Sequence, residues 1–371
     1  MITRLWLVWA AASVACTVIS RLGAVTAARA GEAETPRGSP VRATASADAA
    51  STHRPTVLGV AGARFTVNGR PTFLYGLSYY GALGAPEDSV RRDLDDLQRA
   101  GFNWIRVWAT WNAYGTNLAA ITPDGAARAP FLARLQRLVW ACDRRGIVVD
   151  VTLSRNAGGA DQAGLSALAG HQQAVATLLA SLHAARNWYL DLANERNIRD
   201  ARFVSFAELA ALRSVGRRLD PGRLVTASHG GDLTREELRD YLETAGVDFL
   251  APHRPRHAGS ARETAGRTRE YQAWMNALGR RVPVHYQEPF RRGYGDWQPQ
   301  AGDFVTDARG AVAGGAAGWC FHNGSQERAP EAEPRRSFDL RRRRLFAQLD
   351  PVELEAIAAL PQVVRPVSAK P

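Results

Sequence analysis

The chain has 371 residues, 46% of them hydrophobic, which suffices for one large domain or two ordinary ones with a substantial core. Its formal charge is +11, but Lys370 is the only lysine, and the arginines are scattered over predicted helices instead of gathered in one run with interleaved aromatics. That spread argues against a nucleic-acid partner and leaves room for an anionic substrate or surface.

The first element is a targeting segment. Met1 to Arg4 is a short basic stretch, Leu5 to Ser20 is apolar, and Ala28-Arg29-Ala30 offers a cleavage site, so residues 1–30 read as a secretory signal and the mature chain as secreted or periplasmic. The apolar run is shorter than the ~20 residues a spanning helix needs, so no stable membrane insertion is expected after cleavage. A retained anchor, or a lipid on Cys16, is the alternative. Cys142 and Cys320 are the only other cysteines, and they read as two buried thiols, not a bridge. Residues 31–56 have no apolar periodicity, are rich in Ala, Ser, Thr and Pro, and read as a flexible linker.

Order is expected from Val57. "RFTVNGRPTFLYG" has two alternating runs around Asn68-Gly69, a hairpin signal. One beat then repeats: a helical stretch, a breaker, a short apolar strand. The predicted strands are 72–79, 102–108, 146–153, 187–194, 223–229, 247–253, 283–288 and 317–322. The intervening helices are amphipathic; Val90, Leu94 and Leu97 share one face before Gly101, and Leu135, Leu138, Val139 and Cys142 share another before Gly146. Eight alternating βα units predict a (β/α)8 barrel over 57–362, followed by a tail, 363–371. No early strand is followed by G-x-G-x-x-G, so a dinucleotide fold lacks its fingerprint.

A barrel of this kind carries its site at the C-terminal ends of the strands. Those ends offer Tyr79 and Tyr80, then Arg106, Trp108 and Trp111, then Thr152 and Ser154. Asn194 and Glu195 end the fourth strand, His229 the fifth, His253 the sixth, Tyr286 and Glu288 the seventh; Trp319 lies in the eighth. Only Glu195 and Glu288 are acids. Two carboxylates facing one cleft ringed by Trp and Tyr suit glycosidic bond cleavage, one protonated to donate and one ionised to attack. Mutual repulsion is expected to raise one acid while a cation such as Arg106 keeps the other ionised. Aromatic faces can stack on sugar rings, and Asn194 can pair with a hydroxyl through donor and acceptor. Trp108, Trp111 and Trp297 could equally be packing.

Across about residues 62–350 the sequence resembles the clan A retaining glycoside hydrolases, the cellulase- and mannanase-like (β/α)8 enzymes. The resemblance rests on "FTVNGRPTFLYG", "GFNWIRVW", "LANE", "YQE" and "GWCFH" in this order and strand placement. It implies Glu195 as acid/base, Glu288 as nucleophile, Asn194 as hydroxyl-binding partner, Arg106 beside the nucleophile, His253 as the sixth-strand histidine and Trp319 as a sugar platform. It also implies an oligo- or polysaccharide substrate, a monomer and no cofactor. The chain departs from the pattern at Arg196, where relatives often have Pro, and at "VTLSRNAGG", which lacks the third-strand histidine. In "HRPRH" the tyrosine that would bond the nucleophile is missing; Tyr286, two residues before Glu288, is the expected substitute.

Two other functions fit parts of the pattern. A non-catalytic sugar-binding barrel would keep the cleft without turnover. A metal-dependent barrel hydrolase would use the histidines, but no H-x-H ends the first strand and no Asp ends the eighth, so no metal site is expected. A Schiff-base mechanism lacks its amine, since Lys370 is in the tail.

Overall fold

A computed structural model describes residues 54–113, 115–155, 163–323 and 338–364. The expected signal, most of the expected linker and most of the expected tail lie outside the described residues.

The chain opens with an antiparallel sheet of β1 (Leu58–Ala61), β2 (Arg64–Val67) and β3 (Arg70–Thr72). Asn68 and Gly69 form the turn between β2 and β3, both with positive φ, 52° and 78°, as a tight two-residue hairpin requires. The alternation then begins. β4 (Leu74–Ser78) leads to α1 (Glu87–Arg99) and β5 (Trp104–Trp108). A small antiparallel pair, β6 (Asn112–Ala113) and β7 (Thr116–Asn117), precedes α2 (Phe131–Asp143). There follow β8 (Val148–Thr152), α3 (Leu168–Leu182), β9 (Trp188–Asp191) and α4 (Phe206–Leu219). The fifth barrel strand is split into β10 (Val225–Thr226) and β11 (Ser228–His229), and α5 (Arg235–Asp240) comes after it. β12 (Ala251–Pro252), α6 (Ser260–Ala277), β13 (His285–Tyr286), α7 (Ala301–Gly314) and β14 (Gly318–Phe321) complete the cycle, with α8 (Pro351–Ala359) and α9 (Pro361–Val364) behind it.

Seven strands form one parallel sheet in the order β10-β9-β8-β5-β4-β14-β13. β11 pairs in parallel with β12, and a parallel bridge joins Leu250 to Val284 beside β13. These two links carry the hydrogen bonding past the sixth strand and close a (β/α)8 barrel, as the sequence predicts.

Strand parity decides what fills the barrel. Leu74, Trp104, Val148, Tyr189 and Phe249 form an inner cluster, into which the hairpin inserts Phe65. The Phe65 ring meets Phe249 edge-on at 5.0 Å and His285 at 5.8 Å. The hairpin therefore plugs the N-terminal end of the barrel. The opposite parity, Tyr75, Leu77, Ile105, Val107, Val149, Val151 and Leu190, packs outward in the main core with the helices. Gly76 makes room for this filling: a Cβ there would lie 1.7 Å from the Trp104 carbonyl oxygen.

Two boundaries differ from the sequence reading. Thr56, placed in the linker, is buried; its N–H donates to Asp143 Oδ1 at 2.8 Å and its hydroxyl to the Asp143 carbonyl at 2.8 Å. At the other end Val364, placed in the tail, is buried in the core. Both ends of the barrel domain therefore reach further than apolar periodicity indicates. Cys142 and Cys320 are free buried thiols, as expected. No helix among the described residues is long and apolar enough to cross a membrane.

Candidate active site

The C-terminal ends of the strands surround a cleft of about 570 Å3 lined by Glu195, Glu288, Asn194, His253 and Trp108, among others. Its floor is Arg106. This side chain is fully buried and spends every nitrogen on a partner. Nε donates to Thr152 Oγ1 at 3.0 Å and lies 3.1 Å from Asp150 Oδ2. Nη2 donates to Asp191 Oδ2 at 2.7 Å and Asn194 Oδ1 at 3.1 Å, and Nη1 donates to Glu288 Oε1. One guanidinium thus ties the second, third, fourth and seventh strands together beneath the cleft.

Glu288 gathers further partners. The Tyr80 hydroxyl donates to Oε1 at 2.6 Å, Arg256 Nη2 donates to Oε2 at 3.1 Å, and His322 Nε2 lies 3.7 Å from Oε2. Burial alone would raise this carboxyl; His253, Arg106, His322 and Arg256 outweigh it and hold Glu288 well below the usual carboxylate range. Burial and the neighbouring Glu288 charge push the Tyr80 phenol well above its ordinary value, so Tyr80 remains a donor.

Glu195 follows β9 with φ 44°, a left-handed backbone unusual for a non-glycine residue. Its N–H is held by Ser228 Oγ at 3.0 Å. Its Oε1 faces His253 Nδ1 at 3.3 Å, and its Oε2 accepts from Arg202 Nη1 at 3.0 Å. Arg256 Nη2 is 3.8 Å from Oε1. His253 Nε2 contacts Arg106 Nη1 at 3.3 Å; since a guanidinium cannot accept, Nε2 is the acceptor and Nδ1 carries the proton toward both glutamates. Burial would raise Glu195, but His253, Arg256 and Arg202 together bring it down to about 2. The expected elevation of one acid by mutual repulsion is therefore corrected: in the free site the surrounding histidines and arginines hold both glutamates low.

The structure brings together Glu195, Glu288, Asn194, Arg106, His253 and Trp108. Trp108 packs with Tyr80 and Trp111 at centroid distances of 5.7 and 5.0 Å, an aromatic group at the end of the first two barrel strands. Three sequence-predicted residues lie elsewhere. The Tyr79 hydroxyl donates to Asp93 on α1 at 3.0 Å. Tyr286 Oη and Thr268 Oγ1 on α6 are 2.6 Å apart, and Trp319 Nε1 donates to Asp307 on α7 at 2.6 Å. All three occupy outward positions, buried between strand and helix. The inference that Tyr286 shares a face with Glu288 fails because β13 ends at Tyr286; Gln287 then bonds inward to Asp150 at 2.8 Å, and Glu288 reaches the mouth without the strand's alternation.

Tyr80 takes the place expected of Tyr286, and His322, Arg202 and Arg256 are the other residues that the sequence left unassigned. Parity counted from Ser78 would have pointed to Tyr80. Arg202 and Arg256 sit in irregular segments, where no periodicity reports direction. Arg196, the departure beside Glu195, is buried with its guanidinium over Phe206 at 3.9 Å, near Phe203 and Tyr241. It is a cation–π anchor below the cleft wall. Trp297 packs on Phe290 at 4.9 Å.

One atom each from Glu195, His253 and Glu288 lie within 4.8 Å of one another, the grouping among the described residues that could hold a metal ion. Arg106, Arg202 and Arg256 contact the same carboxylates, so a dication there would face their guanidiniums at close range.

The sequence matches no family model and no curated protein. The architecture has many solved counterparts. The endo-1,4-beta-mannanase from Rhizomucor miehei superposes with a TM-score of 0.59 at 12% identity, over 83% of this chain and 99% of that one. The chain shares its fold with glycoside hydrolase barrels. A glycoside hydrolase family 5 structure from Bacteroides vulgatus gives 0.59 at 18% identity, over 81% of this chain and 69% of that one. The endo-beta-1,4-mannanase from Thermotoga petrophila gives 0.58 at 13% identity, over 82% and 79%.

Proposed function

We propose that this barrel is an exported retaining glycoside hydrolase acting on a β-linked oligo- or polysaccharide. The observation that carries the reading is the pair Glu195 and Glu288 at one mouth, with an oxygen of each within 4.8 Å. That approach is compatible with carboxyl groups about 5–5.5 Å apart, the separation at which the second carboxylate acts as nucleophile instead of activating a water. Glu288, ionised and positioned by Tyr80 and Arg106, attacks the anomeric carbon. Glu195, which takes up a proton from solvent as the substrate binds, gives it to the departing oxygen, and a glycosyl ester forms on Glu288. Glu195, now ionised, takes a proton from water, which displaces Glu288 with net retention. Asn194 presents its amide to a sugar hydroxyl, and Tyr80, Trp108 and Trp111 offer ring faces to the sugar. The contacts around both glutamates are served by protein cations, and activity is expected to survive chelators. Export rests on residues 1–30, and the domain is expected to work as a monomer.

The test is azide rescue on an activated aryl glycoside. Glu288→Ala should give an inverted glycosyl azide, because azide attacks through the space left by the carboxylate. Glu195→Ala should give a retained azide, because the ester still forms. The same anomer from both variants would overturn the roles.

A sugar-binding barrel without turnover draws on one observation: Glu195 is ionised in the free site, between Arg202 and Arg256. Absence of hydrolysis across a panel of aryl glycosides, with sugar binding intact, would favour that reading.

A further inference from the structure

Resting on the hydrolase reading, we propose that the substrate is an acidic glycan, whose carboxylate or sulfate binds between Arg202 and Arg256 beside Glu195.

The geometry comes first. Arg202 reaches Glu195 Oε2 at 3.0 Å, and Arg256 approaches Oε1 at 3.8 Å. The two guanidiniums therefore bracket one carboxylate, and an anion on a sugar seated next to Glu195 meets both. Asp200 holds Arg202 from behind, at 3.1 Å through Nε and 2.8 Å through Nη2. Arg256 is aimed by the Pro289 carbonyl at 3.1 Å and lies over the Tyr294 ring at 4.6 Å. Both arginines line the same cleft as the aromatic group of Tyr80, Trp108 and Trp111. Trp108 ends the second strand and Arg256 follows the sixth, half-way round the barrel. A sugar can thus set its apolar face on the rings and a charged edge on the guanidiniums.

The charge balance of the reaction points the same way. In the free site, Glu195 and Glu288 both face these cations as carboxylates. In the Michaelis complex Glu195 holds a proton; in the glycosyl ester Glu288 is neutral and Glu195 is ionised. At each stage the site has one carboxylate charge fewer than at rest, while the sugar has displaced water. A neutral glycan would leave each arginine with fewer carboxylate partners than at rest: among the described residues, Asp200 alone for Arg202 while Glu195 is protonated, and Glu195 at 3.8 Å alone for Arg256 once Glu288 is esterified. A substrate anion supplies the missing charge and draws Arg202 and Arg256 off Glu195, which lets Glu195 take up the proton it must donate. Arg254, which also lines the cleft, is matched separately by Asp232 and takes no part.

The test uses non-hydrolysable thio-linked oligosaccharides in three forms, neutral, uronate-bearing and sulfate-bearing, titrated calorimetrically into the wild-type mature protein. An acidic form should bind at least about tenfold tighter than the neutral one, a preference that falls with ionic strength. Whichever acidic arm binds tighter names the anion. Arg202→Gln and Arg256→Gln, each checked for an unchanged melting curve, should reduce the preference. Arg202→Gln is the safer variant, because that side chain is 35% exposed. Equal or tighter binding of the neutral form, no binding of any form, or a preference untouched by Arg202→Gln would overturn the proposal. Cleavage of the oxygen-linked counterparts separates the two readings. Acidic glycans bound but never cut would sink the hydrolase and keep the anion site; neutral glycans alone cut would do the reverse.

Discussion

At the scale of single residues, the site is a set of carboxylates whose charge is dictated by arginines. Arg202 is among the groups that lower Glu195, so Arg202→Gln should raise its pKa. A general acid with a higher pKa keeps its proton to higher pH, so the basic limb of kcat/KM on a neutral aryl glycoside should move upward. An unmoved limb would mean that Arg202 does not act on Glu195 during turnover. Arg106 has a different part. It is buried against Asp150, Asp191 and Glu288, and removing it leaves Asp191 and Glu288 without their shared guanidinium. Arg106→Ala should cost about 3–5 kcal/mol in a urea titration, the range for breaking a buried ion pair from one side. Much of this was legible in the sequence. Glu195, Glu288, Asn194, Arg106 and His253 stand at strand ends where an acid, an amide or a cation in apolar surroundings has little structural purpose. Arg202 and Arg256 were hidden because their segments are irregular.

At the scale of elements, a strand delivers every second side chain to the barrel interior, and parity sorts function from packing. Tyr79, Tyr286 and Trp319 look like mouth residues by position, yet their parity sends them to Asp93, Thr268 and Asp307 on the helices. All eight strands were legible as apolar runs between breakers, whereas the direction of a side chain near a strand end depends on where the ladder stops, which the pattern does not record. The interior also sets a size limit. Gly76→Ala would bring a methyl group against the Trp104 backbone, with a Cβ position 1.7 Å from its carbonyl oxygen. The loss should reach or exceed the upper end of the about 1–3 kcal/mol typical of overpacking, read as a fall in melting temperature. At the N-terminal boundary, deleting residues 1–53 should leave melting unchanged, whereas deleting 1–56 removes both Thr56 bonds to Asp143 and should lower it. Equal melting of the two truncations would show that this tie contributes nothing.

At the scale of the whole molecule, the depressed glutamates make stability depend on pH. Glu195 falls from 4.5 to about 2 on folding, so its contribution is full above its ordinary value and is lost as pH drops toward 2. Glu288 acts in the same direction. Thermal melts should therefore show Tm falling between pH 5 and pH 2, with a shallower fall in Glu195→Gln. The plug at the far end of the barrel has a consequence in time. Phe65 is synthesised early in the barrel domain, yet its sockets, Phe249 and His285, come from the sixth and seventh strands. Contacts so distant along the chain close late, because their loop entropy is met only after nearer units have formed. The leading hairpin should thus be the last part to dock. In pulse-labelled hydrogen exchange during refolding, the amides of β1 and β2 should gain protection after those of β5, β8 and β9, and a ribosome-bound chain stalled before Phe249 should leave the hairpin open to protease.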